Sequence, residues 1–228
     1  NKSDGMEVAV MKEVAKKLPQ YEFQFVPTSD DDLLIGVESG KYDIGTKGAW
    51  KTPAREKKYI FPKNNIAASV IGVTIRKEDA NTIKNLDDFA KAGKKLVPIA
   101  PQNAQYQVIE DYNAAHPDHP VKLEASENFQ VADAYTWVLE GRYDGYFSIE
   151  LAYKKNVEAP DAPYKDFKDK LSYFRYKAIP TYTVINKNDK ELAEQVDKAL
   201  GELKQEGKIA ELENKYFGEE VSKLIDVK

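Results

Sequence analysis

The order in which helix-like and strand-like segments follow one another restricts this chain more than any other feature. It opens on a helix: Asp4 with Glu7 three residues on reads as a capping box, and Val8, Met11, Val14, Ala15 and Leu18 share one stripe before Pro19. Tyr21–Val26 alternates like a strand. Ser29 with Asp32 reads as a second cap, leading a short helix through Leu33, Leu34 and Val37 to Gly40, and Tyr42–Gly45 reads as a buried strand. A parallel α/β sheet needs a strand ahead of its first helix, because each crossover helix joins two strands. The expectation is therefore an α/β fold whose first strand lies upstream of Asn1, the other reading being a sheet short by one strand.

The alternation continues. Thr52-Pro53 marks a helix start, Ile66–Lys77 is rich in β-formers, and Asn85 caps a helix over Leu86–Lys91 closed by Gly93. Lys95–Ala100 and Val121–Leu123 read as strands, Ala104–Asn113 and Phe129–Glu140 as helices, and Asp144–Phe147 and Thr181–Asn186 as strands. Val157–Lys170 is irregular. Asn188 with Glu191 reads as a cap for a long helix with Leu192, Val196, Leu200 and Leu203 on one face. Gly207 and a helix over Ile209–Tyr216 follow. Two turns echo each other: Ser39-Gly-Lys-Tyr-Asp43 and Glu140-Gly-Arg-Tyr-Asp144. Each places a Gly where a left-handed helix end belongs and a base against the helix dipole. Such turns are common between helices and strands, and they also fit two similarly built lobes.

Composition thins the functional classes. With 228 residues and a formal charge of −4, the chain lacks the basic face that nucleic acid or an anionic membrane requires. Without cysteine there is no thiol nucleophile, zinc-thiolate site or iron–sulfur cluster. The two histidines share one segment, His116-Pro-Asp-His-Pro120, which reads as a solvated loop rather than a metal site or part of a Ser-His-Asp triad. No cofactor and no metal are expected.

Several segments resemble the extracytoplasmic amino-acid solute-binding proteins of ABC importers, a type II periplasmic-binding-protein family. They are Ser39–Asp43, Gly48-Ala-Trp-Lys-Thr-Pro-Ala-Arg55 with Phe61, Leu139–Asp144, and the closing run Ala199–Gly218. The resemblance spans about Asp4 to Gly218, and overall likeness leans toward the cystine-type branch. It implies an α/β chain of two lobes joined by crossover strands near Ile66–Ile71 and Ile179–Val184, with a ligand clamped by hinge closure. Lobe 1 would comprise 1–69 and 181–228, and lobe 2 would comprise 70–180. The family's first strand, which often supplies an aromatic ligand contact, is missing ahead of Asp4. The implied partners are a small amino-acid-like ligand and a membrane permease. The implied location is extracytoplasmic, in the periplasm or as a cell-surface lipoprotein, and the implied state is a monomer.

The same resemblance assigns site residues. Arg55 is one of only four arginines against thirty lysines. It reads either as a surface residue of a helix's first turn or, by its family position, as the fork that grips the ligand α-carboxylate. Gly48 and Trp50 would supply backbone groups and an apolar wall, although a Trp is equally at home in a core. Asn103, Ala104 and Gln105, where strand passes to helix, would offer N–H groups to an anion. Gln102 stands there in place of the family's Gly. The family's amino-group position falls on Ile149, which cannot bind an ammonium, so Glu150 beside it is the candidate. Two other readings stand beside the binding protein. One is a dehydratase on the same scaffold, with Glu150 as a proton donor of raised pKa. The other is the ligand domain of a sensor or receptor.

Overall fold

The computed structural model describes residues 2–126 and 131–226. In chain order its elements are α1 (Lys2–Lys17), α2 (Asp30–Ser39), β1 (Ile44–Ala49), α3 (Pro53–Glu56), β2 (Tyr59–Ile60), β3 (Ala67–Arg76), α4 (Leu86–Lys91), α5 (Ala104–Ala115), α6 (Val131–Leu139), β4 (Gly145–Ile149), α7 (Glu150–Tyr153), β5 (Leu171–Asn186), α8 (Lys190–Gln205) and α9 (Lys208–Phe217). The chain divides into two compact units: residues up to Ser69 with Ala178–Asp226, and Val70–Lys177. It passes from one to the other within β3 and again within β5.

The first unit is built on three helices. Met6, Val10, Met11, Val14 and Leu18 of the α1 segment are buried against Ala193, Val196, Ala199, Leu200 and Leu203 of α8 and against Ile209 and Leu212 of α9. Fully burying a side chain such as Leu200 contributes about 1.5–3 kcal/mol. The buried stripe of α1 begins at Met6 and Val10, with Val8 only at its margin. The helix spans Lys2–Lys17, and Asp4 falls within that range. Strand β5 pairs antiparallel with β1, from Ile44 opposite Ile185 to Ala49 opposite Tyr182, and with β2, Ile60 opposite Ile185. Helix α2 starts as expected: the Ser29 hydroxyl accepts the Asp32 N–H at 3.2 Å. Its Leu33, Leu34 and Val37 pack on Ala49, Tyr59 and Val184.

The expected strand at Tyr21–Val26 does not form. Tyr21 and Phe23 pack on the α1 core, but Phe25 and Val26 are exposed, and among the described residues no neighbour offers this stretch a ladder. Alternation supplies a face, whereas a strand also needs a partner for its N–H and C=O groups. The cap expected from Asn188 also moves. Helix α8 begins after Asp189 without a side-chain cap, and Asn186 Oδ1 accepts the Asn188 N–H at 2.9 Å.

In the second unit β3 and β4 pair antiparallel, Ile71 opposite Ile149 through Ile75 opposite Gly145. Helix α6 buries Ala134, Tyr135 and Val138 against Val97, Tyr143, Tyr153, Val157 and Leu171. Phe129 and Gln130, where its start is expected, lie outside the described residues. Helix α4 has the expected Asn85 cap, with Oδ1 accepting the Asp88 N–H at 2.8 Å. The strands expected at Lys95–Ala100 and Val121–Leu123 reduce to isolated parallel bridges, Lys95 with Lys122, Leu96 with Gly145 and Ile99 with Ala125. Pro98 has no N–H and breaks the ladder between them.

The two echoed turns share one hydrogen-bond pattern. Gly40 (φ 85°) and Gly141 (φ 76°) are both left-handed. Their N–H groups donate to Val37 and Val138, and Tyr42 and Tyr143 donate six residues back to Gly36 and Trp137.

Candidate functional site

In the first unit the candidate residues meet where β1 gives way to α3. A bulge falls between Thr46 and Ala49, and Gly48 within it has φ +68°, a conformation that L side chains rarely adopt. A Cβ there would stand 3.3 Å from Glu7 Oε1. Gly48 thus lets the backbone approach a carboxylate that α1 buries, with Glu7 only 6% exposed. The sequence reading gave Glu7 a capping role. The signal for a buried acid is its place beside Met6 and Val10 on the apolar face of α1.

Two residues on, Thr52 is extended and its hydroxyl accepts the Arg55 N–H at 3.2 Å, while Pro53 opens the single turn of α3. This places the half-buried Arg55 side chain back over the bend, where Nη1 donates to the Trp50 carbonyl at 2.8 Å. Arg55, Trp50 and Gly48 are therefore brought together. A guanidinium carries five N–H donors, and this contact uses one. Among the described residues no carboxylate lies within ion-pair distance of Arg55. Arg76 and Arg175 are both paired with acids, and Arg142 stacks on Trp137 at 4.6 Å. The charge is felt locally: burial and Glu38 push the Tyr59 hydroxyl up in pKa, and Arg55 pulls against them.

In the second unit Asn103 is the N-cap of α5 but makes no side-chain cap bond. Its N–H donates to the Ala100 carbonyl at 2.9 Å, so it is not a free donor, contrary to the expectation. The first-turn N–H groups of Ala104 and Gln105 follow it without a capping side chain.

Glu150 opens α7 directly after β4, and its carboxylate is committed. Arg175 grips it through Nε at 2.5 Å and Nη2 at 2.9 Å, and Lys154 Nζ lies 2.9 Å away. Glu150 is thus no free acceptor for an ammonium. Arg175, twenty-five residues away in sequence, is the partner that local reading misses. Burial pushes the Glu150 carboxyl up, but the hydrogen bonds from Arg175 and Lys154 outweigh it and hold the pKa below the usual carboxylate range. That direction is opposite to what a neutral-pH proton donor needs. Glu150 lines an open, mixed-charge cleft of about 630 Å³ with Lys154, Tyr173 and Arg175.

Residues 1–219 match the family described as bacterial extracellular solute-binding proteins, family 3. The chain belongs to this family. Two Bacillus subtilis relatives are L-cystine-binding proteins. TcyJ is 28% identical over 226 residues, covering 96% of this chain and 77% of TcyJ. TcyA is 28% identical over 223 residues, covering 98% of this chain and 76% of TcyA. Cystine-binding relatives are what the resemblance to the cystine-type branch leads one to expect. Solved structures give the fold. The probable amino-acid ABC transporter extracellular-binding protein ytmK of Bacillus subtilis superposes with a TM-score of 0.69 at 24% identity, covering 93% of this chain and 87% of that one. A structure from work on glutathione import via GshT and the cystine importer TcyBC of Streptococcus mutans superposes with 0.64 at 23% identity, covering 95% and 86%. The fold of this family 3 protein is the type II periplasmic-binding-protein fold, its function is solute binding, and its family places it outside the cytoplasm. Among the described residues no helix is long and apolar enough to cross a membrane.

Proposed function

We propose that this family 3 protein captures a small zwitterion, cystine or another polar amino acid, and delivers it to an ABC importer permease. The observation that carries the reading is Arg55: a half-buried guanidinium on a capped turn, tied to one carbonyl and paired with no carboxylate among the described residues. Such a fork suits bidentate contact with an α-carboxylate. Trp50 offers apolar surface beside it and Gly48 gives close backbone approach; in the second unit, taken by itself, the N–H groups of Ala104 and Gln105 at the α5 start are the candidate anion donors. Glu150 is withdrawn as the amino-group partner, because Arg175 and Lys154 already satisfy it. Capture by hinge movement through β3 and β5, a monomeric state and a lipid anchor at the cell surface belong to the same reading.

The test is a thermal-shift panel of amino acids, cystine and small di-acids on protein stripped of ligand by unfolding and refolding. A ligand at ~100 times its dissociation constant adds about 2.7 kcal/mol to the folded state, a shift of a few degrees at this size. We expect one zwitterion to give that shift and Arg55→Ala to abolish it. A flat panel with folded protein, or a shift that survives Arg55→Ala, overturns the reading. The dehydratase alternative needs a protonated Glu150 and therefore predicts turnover of a prephenate-like acid; the lowered pKa argues against it.

A further inference from the structure

Asp87, His116 and His119 converge in the second unit, and none of the three makes a ligand contact proposed above. Asp87 stands in the first turn of α4, His116 follows the last residue of α5, and His119 lies three residues further on. Pro117, Asp118 and Pro120 of the loop are exposed, as a solvated loop requires, while the His119 side chain turns inward and is only 17% exposed.

The proton positions follow from the partners. His116 Nδ1 lies 2.9 Å from the Tyr112 carbonyl, which can only accept, so Nδ1 carries the hydrogen. His119 Nδ1 lies 3.0 Å from Asp118 Oδ2, a carboxylate oxygen that accepts, so this Nδ1 also donates. In the neutral rings both Nε2 atoms then present lone pairs. They aim at one atom: His119 Nε2 is 3.4 Å and His116 Nε2 is 3.9 Å from Asp87 Oδ1. His119 Nε2 is shielded from solvent, and among the described residues Asp87 Oδ1, at 3.4 Å, is the acid it faces. The Tyr112 hydroxyl donates to the same Oδ1, which keeps a further lone pair for a cation. Lys91 approaches only the other oxygen, Oδ2, at 3.9 Å. Two imidazole lone pairs and an anionic oxygen directed at one another repel unless a proton or a metal cation stands among them.

The rings are held for that purpose. Tyr112 stacks on His116 with centroids 4.1 Å apart and meets His119 edge-on at 6.4 Å. An acceptor on Nδ1 that fixes the tautomer and orients Nε2 is the outer-shell arrangement of metal-binding histidines. The three ligand atoms lie within 4.8 Å of one another. Around a tetrahedral Zn²⁺, ligand atoms at ~2.0–2.1 Å stand about 3.3 Å apart. The His119–Asp87 distance already matches, and the His116 ring must move in by about 0.6 Å on Asp87 and draw closer to His119.

We propose that Asp87, His116 and His119 form a binding site for a transition-metal dication of the zinc class. Two nitrogen ligands and one carboxylate select such an ion over Mg²⁺ or Ca²⁺, which prefer all-oxygen shells. The Tyr112 carbonyl and Asp118 position the rings. The ion clips the start of α4 to the end of α5, and water or an outside group takes the fourth position. The site shares no residue with the amino-acid reading, so either can fail alone.

The chain has no cysteine and no third histidine, which makes the test clean. Zinc is titrated into the metal-free chain by calorimetry, with magnesium as the control, and the imidazole nitrogens are followed by long-range proton–nitrogen NMR. We expect one zinc per chain, no magnesium binding at this site, and movement of both Nε2 resonances together. His116→Gln and His119→Gln should each weaken zinc at least about tenfold. Absence of saturable zinc binding, movement of one imidazole alone, or unchanged affinity in both variants overturns the site. If a variant does not fold, the NMR titration of the unaltered chain decides.

Discussion

Replacing Arg76 with alanine should cost the second unit about 3 kcal/mol, and the sum can be worked from its contacts. Arg76 ends β3 with its side chain 15% exposed. Nη1 donates to the Val138 carbonyl at 2.8 Å and the Tyr143 carbonyl at 2.9 Å, and Nη2 meets Asp144 Oδ1 at 2.9 Å. Hydrogen bonds to a charged group contribute about 1.5–3 kcal/mol each, so the gross loss is about 4.5–9 kcal/mol. Two of the three acceptors keep other partners. Val138 still receives the Gly141 N–H, and Asp144 still receives the Lys95 N–H at 2.9 Å. That leaves Tyr143 as the orphaned carbonyl and Asp79 without its 3.3 Å ion pair, while Asp144 keeps Lys94 at 3.9 Å and the Glu78 contact is exposed, which brings the net to about 3 kcal/mol. The assay is urea unfolding in a Trp50→Phe background, where fluorescence reports Trp137 inside the second unit. With a slope of about 2 kcal/mol/M, the midpoint should fall by about 1.5 M at unchanged slope. Arg142→Ala is the control. It stacks on Trp137 and Tyr143 without a carboxylate, so its loss should stay within about 1 kcal/mol. If Arg76→Ala loses no more than Arg142→Ala, the node does not hold the Gly141 turn and the reasoning is wrong.

Glu150 gives a pH prediction. Its folded pKa lies below the unfolded value, so its contribution to stability is present above the unfolded pKa and is lost as pH falls through the folded one. Glu150→Gln should be less stable than the parent at neutral pH, and the gap should narrow on acidification through about pH 4 in thermal melts; a gap that widens there would refute the direction. Gly72→Ala should fail more severely. Its Cβ would fall 2.0 Å from the Phe174 carbonyl oxygen and 2.9 Å from Arg175 Cα, both backbone, so β3 and β5 must part; we expect more than about 3 kcal/mol lost by urea titration.

What was legible in the sequence divides by range. Ser29, Thr52 and Asn85 cap their helices as read, because a cap is settled within three residues of itself. The echoed Gly40 and Gly141 turns are legible for the same reason. Even local rules compete: Asn186, two residues back, takes the N–H that Asn188 was expected to organise around. Strands were read less well. Pairing is a property of two segments, so neither the missing ladder at Tyr21–Val26 nor the length of β5 is written in its own stretch.

The candidate sites follow the same division. Arg55 stands out in the sequence by the rarity of arginine and by its family position, and the Thr52-Pro53 turn that holds it is settled locally. Glu150 was misjudged because the side chain that occupies it comes from twenty-five residues away. The histidines show the division most sharply. Their spacing and flanking prolines were plain, and by themselves they describe a loop. What turns two imidazoles into a directed pair is Asp87 from another helix, together with the Tyr112 carbonyl and Asp118 that set each tautomer. A residue's type shows what chemistry it can do, but whether that chemistry is free, spent or aimed depends on partners that the fold brings from elsewhere. Arg55 and the histidine pair remain open to a ligand by that criterion, and Glu150 does not.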